Sequence, residues 1–206
     1  PYLPVSRRLI NFTYIRPEAI AEYATLSEGD KNAVDGLHAD TEPLNGDSQL
    51  IDRDAMWRSK MHALWIIFKA GRTAERQSVF DQFKADCGSD LEAYATWCLC
   101  YDKWGAPNGE ESNWERKFNR NSPEIANLRK QYPDTLDFYR WLEWIAAEQL
   151  SSAQQAAKDA GDVVTEAGEA LHRPSSRLQF TAEERASPEL APYIKKAEKR
   201  ADKLEA

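Results

Sequence analysis

A chain of 206 residues, 42% hydrophobic and 30% charged, is composed like a globular protein and is long enough for one good core or two small ones. Its formal charge of −7 excludes nucleic acid and an anionic membrane surface as ordinary partners, because phosphate recognition works by counterion release through a basic stripe. The longest apolar run, Ala63 to Phe68, falls far short of the roughly 20 residues that a spanning helix needs, so no membrane segment is expected.

All seven tryptophans fall between Trp57 and Trp144, which puts the expected core in the middle of the chain. The three cysteines, Cys87, Cys98 and Cys100, are an odd number, no signal peptide is expected, and a reducing cytoplasm is the expected compartment. Pro1 is no translation start, so the sequence is expected to be processed, trimmed or cut from something longer.

Pro1 and Pro4 predict an extended opening loop that carries Tyr2 and runs to Arg8. Pro17 suits the first position of a helix reaching about Tyr23, and Gly29, Gly36, Pro43 and Gly46 then predict a long irregular segment. From Asp54 to Ala70 the apolar residues Trp57, Met61, Leu64, Trp65 and Phe68 recur at helical spacing, with Gly71 placed as a C-terminal cap. Thr73 caps a second helix through Phe83. Ser89 with Glu92 forms a capping box for a third, whose Tyr94, Trp97, Cys98 and Tyr101 share a face. These three are expected to pack antiparallel.

A loop follows from Gly105 to Asn113, Ser122-Pro123 opens a short helix, and Asp134 opens the longest one. In that helix Phe138, Leu142, Ile145, Ala146 and Leu150 face inward and Gly161 is the stop. No strand is predicted before Gly161, so the fold class is mainly α. Beyond it the tryptophans cease, Pro174-Ser175-Ser176 reads as a linker, and Thr181 with Glu184 is another capping box. From Pro188 onward Leu190, Ile194, Ala197, Ala201 and Leu204 make a narrow apolar seam among charges, of coiled-coil type. The expected division is therefore residues 1–161 and a charged helical tail, 162–206.

Cys98-Leu99-Cys100 invites a metal reading, but residues two apart on a helix point away from each other and no histidine lies near, so these are read as structural thiols. His62 is a boundary side chain beside its helix stripe, and no metal site is predicted. A Gly-rich phosphate loop, a Gly-x-Ser-x-Gly elbow and a Cys–His pair are all missing, which removes nucleotide binding and acyl transfer. Asp52, Asp54, Asp134 and Asp137 stand at helix starts, where capping is their reading. Glu143 and Glu148 are expected on the exposed side of the long helix. Trp57, Trp65, Trp97, Trp141 and Trp144 follow helical periodicity and are read as core, whereas Tyr2 lies in a proline-bounded loop outside any stripe.

The opening Pro1-Tyr2-Leu3-Pro4-Val5-Ser6-Arg7-Arg8, with Asn11 and Tyr14-Ile15, resembles the Pro-Tyr-x-Pro-x-Ser-Arg-Arg, Asn and Tyr-Ile pattern of amylomaltases, the bacterial 4-α-glucanotransferases. Lys60-Met61-x-Ala63-Leu64 is similar to the helical region farther along that family. So are Phe138 to Leu150 and Ala156-Ala157-x-x-Ala160-Gly161, and the likeness covers about three quarters of the chain. The resemblance implies a (β/α)₈ barrel of which these residues are a helical insertion region. It implies an enzyme that breaks an α-1,4 bond in maltodextrin and passes the glucosyl part to another sugar's 4-hydroxyl. Such a reaction retains configuration through two carboxylates and needs no cofactor. It also implies that the catalytic acids lie at later strand ends, downstream of this chain. No catalytic residue is therefore carried over, and only Tyr2 transfers, as a residue of the glucan-binding cleft.

After Ala160-Gly161 the family continues with an apolar barrel strand, whereas here Asp162-Val163-Val164-Thr165-Glu166-Ala167-Gly168 follows. The remaining segment, including Ser176 to Arg185 and Ile194 to Lys199, resembles charged helical proteins of conjugative mobile elements. One reading is thus an enzyme-derived segment, inactive alone, whose substrate in the intact enzyme is an α-1,4-glucan or maltodextrin. The other is a non-catalytic helical module that binds a protein partner through its C-terminal helix.

Overall fold

The structure is a computed structural model that describes residues 9–46, 52–105, 121–159 and Lys195. Tyr2, the loop around Asn113 and the 162–206 tail with its expected capping box and seam lie outside the described residues, apart from Lys195. The description below concerns the compact unit Leu9–Gln149; Pro1–Arg8 and Leu150–Ala206 group separately. Among the described residues every regular element is helical.

The chain enters through short 3₁₀ turns at Phe12–Tyr14, Pro17–Ala19 and Ala21–Thr25. The helix expected from Pro17 to Tyr23 is instead two such turns, because Ile20 between them is extended (φ −77°, ψ 133°). That kink turns Ile20 into the core, where it is 3% exposed.

Helix α1, Glu28–Thr41, replaces the expected irregular segment. Ser27 Oγ accepts the Asp30 N–H at 3.1 Å and donates to Asp30 Oδ2 at 2.7 Å, a reciprocal cap that offsets the cost of Gly29 and Gly36, each about 1 kcal/mol in a helix. Val34 is buried, and Ser59 of the next helix donates to the Leu37 carbonyl at 2.7 Å, so packing completes what propensity leaves short.

Helix α2, Arg53–Lys69, meets its expected limits within a residue. Asp52 Oδ1 accepts from the Ala55 N–H at 2.9 Å, and Gly71, at φ +81°, donates to the Phe68 carbonyl. Helix α3, Ala74–Trp104, carries both the second and third expected helices, with Thr73 as its N-cap. The break falls at Gly88 (φ +52°, ψ −130°), later than Phe83, in a region that only glycine enters cheaply. Glu92 does not reach back as a capping-box partner; its carboxylate meets Arg129 and Arg140 instead. Helix α4, Pro123–Gln131, starts with Ser122 as N-cap and Pro123 in its first turn, as expected.

Helix α5, Pro133–Asp159, is the axis of the core. Leu136, Phe138, Tyr139, Trp141, Leu142, Glu143, Trp144, Ile145 and Ala146 are all buried, and from Trp141 to Ala146, more than a full turn, the helix is enclosed on every side. Phe138 crosses Trp65 edge-on at 5.0 Å between ring centroids and lies 5.4 Å from Phe68, while Phe80 of α3 stacks on Trp144 at 5.2 Å. Phe12 brings the entry segment against Tyr139 at 6.1 Å. Truncating a ring so surrounded as Phe138 costs about 3–5 kcal/mol. Trp57, expected in the core, is 39% exposed and covers Phe12 from outside.

Candidate functional site

A cleft of about 620 Å³ opens between the entry turns, α1, the turn Glu42–Gly46 and α2. Its walls include Tyr14, Arg16, Glu18, His38, Glu42, Asp52, Met56 and Lys60, a mixture of apolar stems and hydrogen-bonding heads that suits a polyhydroxylated ligand better than a lipid. Tyr14 contributes a ring that is 79% exposed.

The local sequence explains that exposure. Asn11 Oδ1 accepts from the Thr13 N–H at 3.0 Å and from the Thr13 hydroxyl at 2.9 Å, bending the chain into a 3₁₀ turn. Phe12 and Ile15 then point into the core at 4% and 1% exposure, which leaves Tyr14 directed away from it. Lys60 Nζ closes the turn by donating to the Thr13 carbonyl at 2.6 Å; partial burial lowers the pKa of its ammonium, and Glu18 opposes that shift.

The carboxylates of this unit are mostly engaged. Asp52 caps α2, and Glu18 lies 3.7 Å from Arg16. Glu22, 4% exposed, and Glu148 share Arg76 at 2.9 and 2.5 Å. Glu148 is thus in an ion pair rather than idle on an exposed face. Asp137 answers Arg72 and Lys84, each at 3.7 Å, and Arg140 at 3.4 Å, so it acts as an ion-pair hub and not as a cap. Asp134 sits in the first turn of α5, as expected, and also pairs with Lys69 at 2.8 Å.

Glu143 departs most from expectation, because it is 2% exposed instead of solvated. Its Oε2 accepts from the Ile10 N–H at 3.1 Å and its Oε1 has no partner among the described residues. Burial pushes the carboxyl up to about 8, against a smaller opposing effect of the Ile10 hydrogen bond. A partial signal was present: Leu136, Tyr139, Ala146 and Ala147 lie at i−7, i−4, i+3 and i+4 from position 143 and put the carboxylate on an apolar face, with Arg140 at i−3 the charged exception.

Cys98 and Cys100 are buried free thiols, in keeping with their structural reading, and Cys87 is a half-buried free thiol. Burial raises each above the ordinary thiol range, Cys87 and Cys100 to about 11. His62 is exposed rather than at a boundary. Among the described residues no group of three or more His, Cys, Asp or Glu is placed to hold a metal ion, and no helix is long and apolar enough to cross a membrane.

Residues 1–167 match the family model described as 4-alpha-glucanotransferase. The 4-alpha-glucanotransferases of Mycobacterium bovis and Mycobacterium tuberculosis are each 33% identical over 162 residues, covering 78% of this chain and 22% of theirs. The crystal structure of amylomaltase from Corynebacterium glutamicum superposes with a TM-score of 0.61 at 31% identity, covering 79% of this chain and 21% of that one. The chain thus spans about a fifth of the length of the relatives it matches. By the extent of these matches, the chain belongs to the 4-alpha-glucanotransferase family.

Proposed function

We propose that this chain is a helical part of a 4-α-glucanotransferase barrel enzyme that acts in the cytoplasm, that it contributes contacts to an α-1,4-glucan, and that alone it does not transfer glucosyl groups. The observation that carries the reading is Tyr14: a family-motif residue whose ring lines the cleft and stands 79% exposed on a backbone bonded to the core. A phenol in that situation offers a flat apolar face to a sugar ring and a hydroxyl to its edge. Tyr2, on the same motif, is proposed as a second contact. The free thiols are consistent with a reducing compartment.

The lack of transfer is argued from chemistry. A retaining glycosyl transfer needs a nucleophilic carboxylate and a proton-donating carboxyl about 5–5.5 Å apart, on either side of the scissile bond. Here Glu143 is closed inside the core, and Glu22, Glu148, Glu92 and Asp137 are neutralised by arginines or lysines. Of the carboxylates on the cleft wall, Asp52 is committed to a helix start and Glu18 lies 3.7 Å from Arg16, which leaves Glu42 alone where the reaction needs two. Proximity accelerates nothing if the reacting groups are elsewhere.

The test is to incubate the purified chain with maltotriose and follow glucose and longer maltodextrins, and to titrate it with maltoheptaose. The expected result is no product above a protein-free control, with weak maltoheptaose binding that Tyr14→Ala removes. Disproportionation that persists through purification and disappears on replacing Glu18 or Asp52 would overturn the reading.

A further inference from the structure

Side chains from α2 and α5 hold the backbone of residues 10–16 at successive points. Glu143 Oε2 accepts the Ile10 N–H at 3.1 Å. Lys60 Nζ donates to the Thr13 carbonyl at 2.6 Å. Gln149 takes both polar atoms of Arg16, its Oε1 accepting the N–H and its Nε2 donating to the carbonyl, each at 2.8 Å. Between these points only Tyr14 turns a large hydrophobic ring outward.

We infer that Lys60, Glu143 and Gln149 are positioning residues for ligand recognition, fixing the backbone on both sides of Tyr14 so that its ring meets a glucan in one orientation. The inference rests on the glucan reading above and adds to it which residues prepare the contact. Each bond goes to main-chain atoms, so what these side chains specify is the path of the segment, whatever side chains it carries. Gln149 satisfies an N–H and a C=O of one residue together, as a neighbouring strand would, where the described residues include no strand. A buried carboxyl at 143 is a costly way to fill space, since an apolar residue of similar volume would avoid the desolvation; its return is a fixed Ile10 amide. Ordering the segment before the ligand arrives spares binding the entropy of ordering it afterwards.

The experiment uses the full chain labelled with fluorotyrosine, with amide exchange across residues 10–16 and maltoheptaose titration followed at the Tyr14 resonance. Lys60→Met, which loses one hydrogen bond, should speed exchange in this segment and weaken maltoheptaose binding by roughly tenfold, and Gln149→Leu, which loses two, by at least as much, while α5 amides keep their protection. Gln149→Glu, which keeps the acceptor and loses the donor, should fall between, and Lys60→Arg should restore binding. If Tyr14→Ala abolishes binding but the Gln149 and Lys60 variants bind like the parent chain, these residues are structural only and the inference fails while the glucan reading stands. If the segment exchanges no faster in either variant, the inference fails regardless of binding. If the parent chain binds no maltoheptaose, the glucan reading fails and takes this inference with it.

Discussion

The guanidinium of Arg76 lies 4.1 Å from the centroid of the Trp144 ring, face-on to a residue that is itself 2% exposed. The same group forks to Glu22 and Glu148, and these hydrogen bonds outweigh the cost of its partial burial. One side chain on α3 thereby ties the entry turns to α5. Replacing Arg76 by Leu would leave Glu22 buried without its cation, and the chain should lose about 3 kcal/mol or more of unfolding free energy in urea. Arg76→Lys should recover part of it, because an ammonium keeps the charge but not the planar fork or the stacking. Equal stability of the Leu variant and the parent would show that solvent already screens this pair.

Why some of this was legible and some not follows from range. The limits of α2 and α4 and the cap at Thr73 are written in contiguous residues, Asp52 to Ala55, Ser122-Pro123 and Thr73, and local hydrogen bonds decide them. Helix α1 was hidden because Gly29 and Gly36 argue against it locally, while Ser59, distant in sequence, bonds its Leu37 carbonyl. The 3₁₀ path around Ile20 likewise answers to the core. At the site, Tyr14 and Lys60 were visible as parts of motifs that resemble the family's, but the proposed positioning of Tyr14 draws on Glu143 and Gln149, each 133 residues along the chain from the backbone amide it meets at Ile10 or Arg16. Tyr2, the one substrate contact expected from sequence, lies outside the described residues.

Gly88 should tolerate no side chain despite the space around it. A Cβ there would meet nothing within 4 Å, so any penalty comes from the backbone at φ +52°. Gly88→Ala should destabilise by about 1–3 kcal/mol, or drive the two parts of α3 toward one straight helix with loss of near-ultraviolet signal from the surrounding aromatics. A variant as stable as the parent with an unchanged spectrum would mean the break is not enforced by that conformation.

The thiols should be slow toward a disulfide reagent. The shift of Cys87 from 9.0 to about 11 lowers its thiolate fraction near neutral pH roughly a hundredfold. Cys98 and Cys100, being buried, should react only as fast as the chain opens. All three should titrate at once in denaturant. Rapid labelling of any cysteine in the folded chain, read by mass spectrometry after digestion, would contradict its placement.

The last prediction concerns pH and Glu143. Its carboxyl shifts from 4.5 to about 8 on folding, so the folded chain keeps a proton that the unfolded chain releases. Below pH 4.5 both states hold the proton and the shift costs nothing. Between roughly pH 4.5 and 8 only the folded state binds it, and the contribution falls by about 1.4 kcal/mol per pH unit before levelling off. Ion pairs elsewhere titrate too, and comparison with Glu143→Gln removes them, since both proteins carry the same pairs. The glutamine also keeps an oxygen for the Ile10 N–H. Its own buried amide sets a constant offset between the proteins but no slope. Urea unfolding of parent and variant at half-unit steps from pH 4.5 to 8.5 should therefore show the parent losing ground steadily to the variant as pH rises. Parallel curves would mean that Glu143 ionises freely in the folded chain, and that water or another donor reaches the oxygen left without a partner.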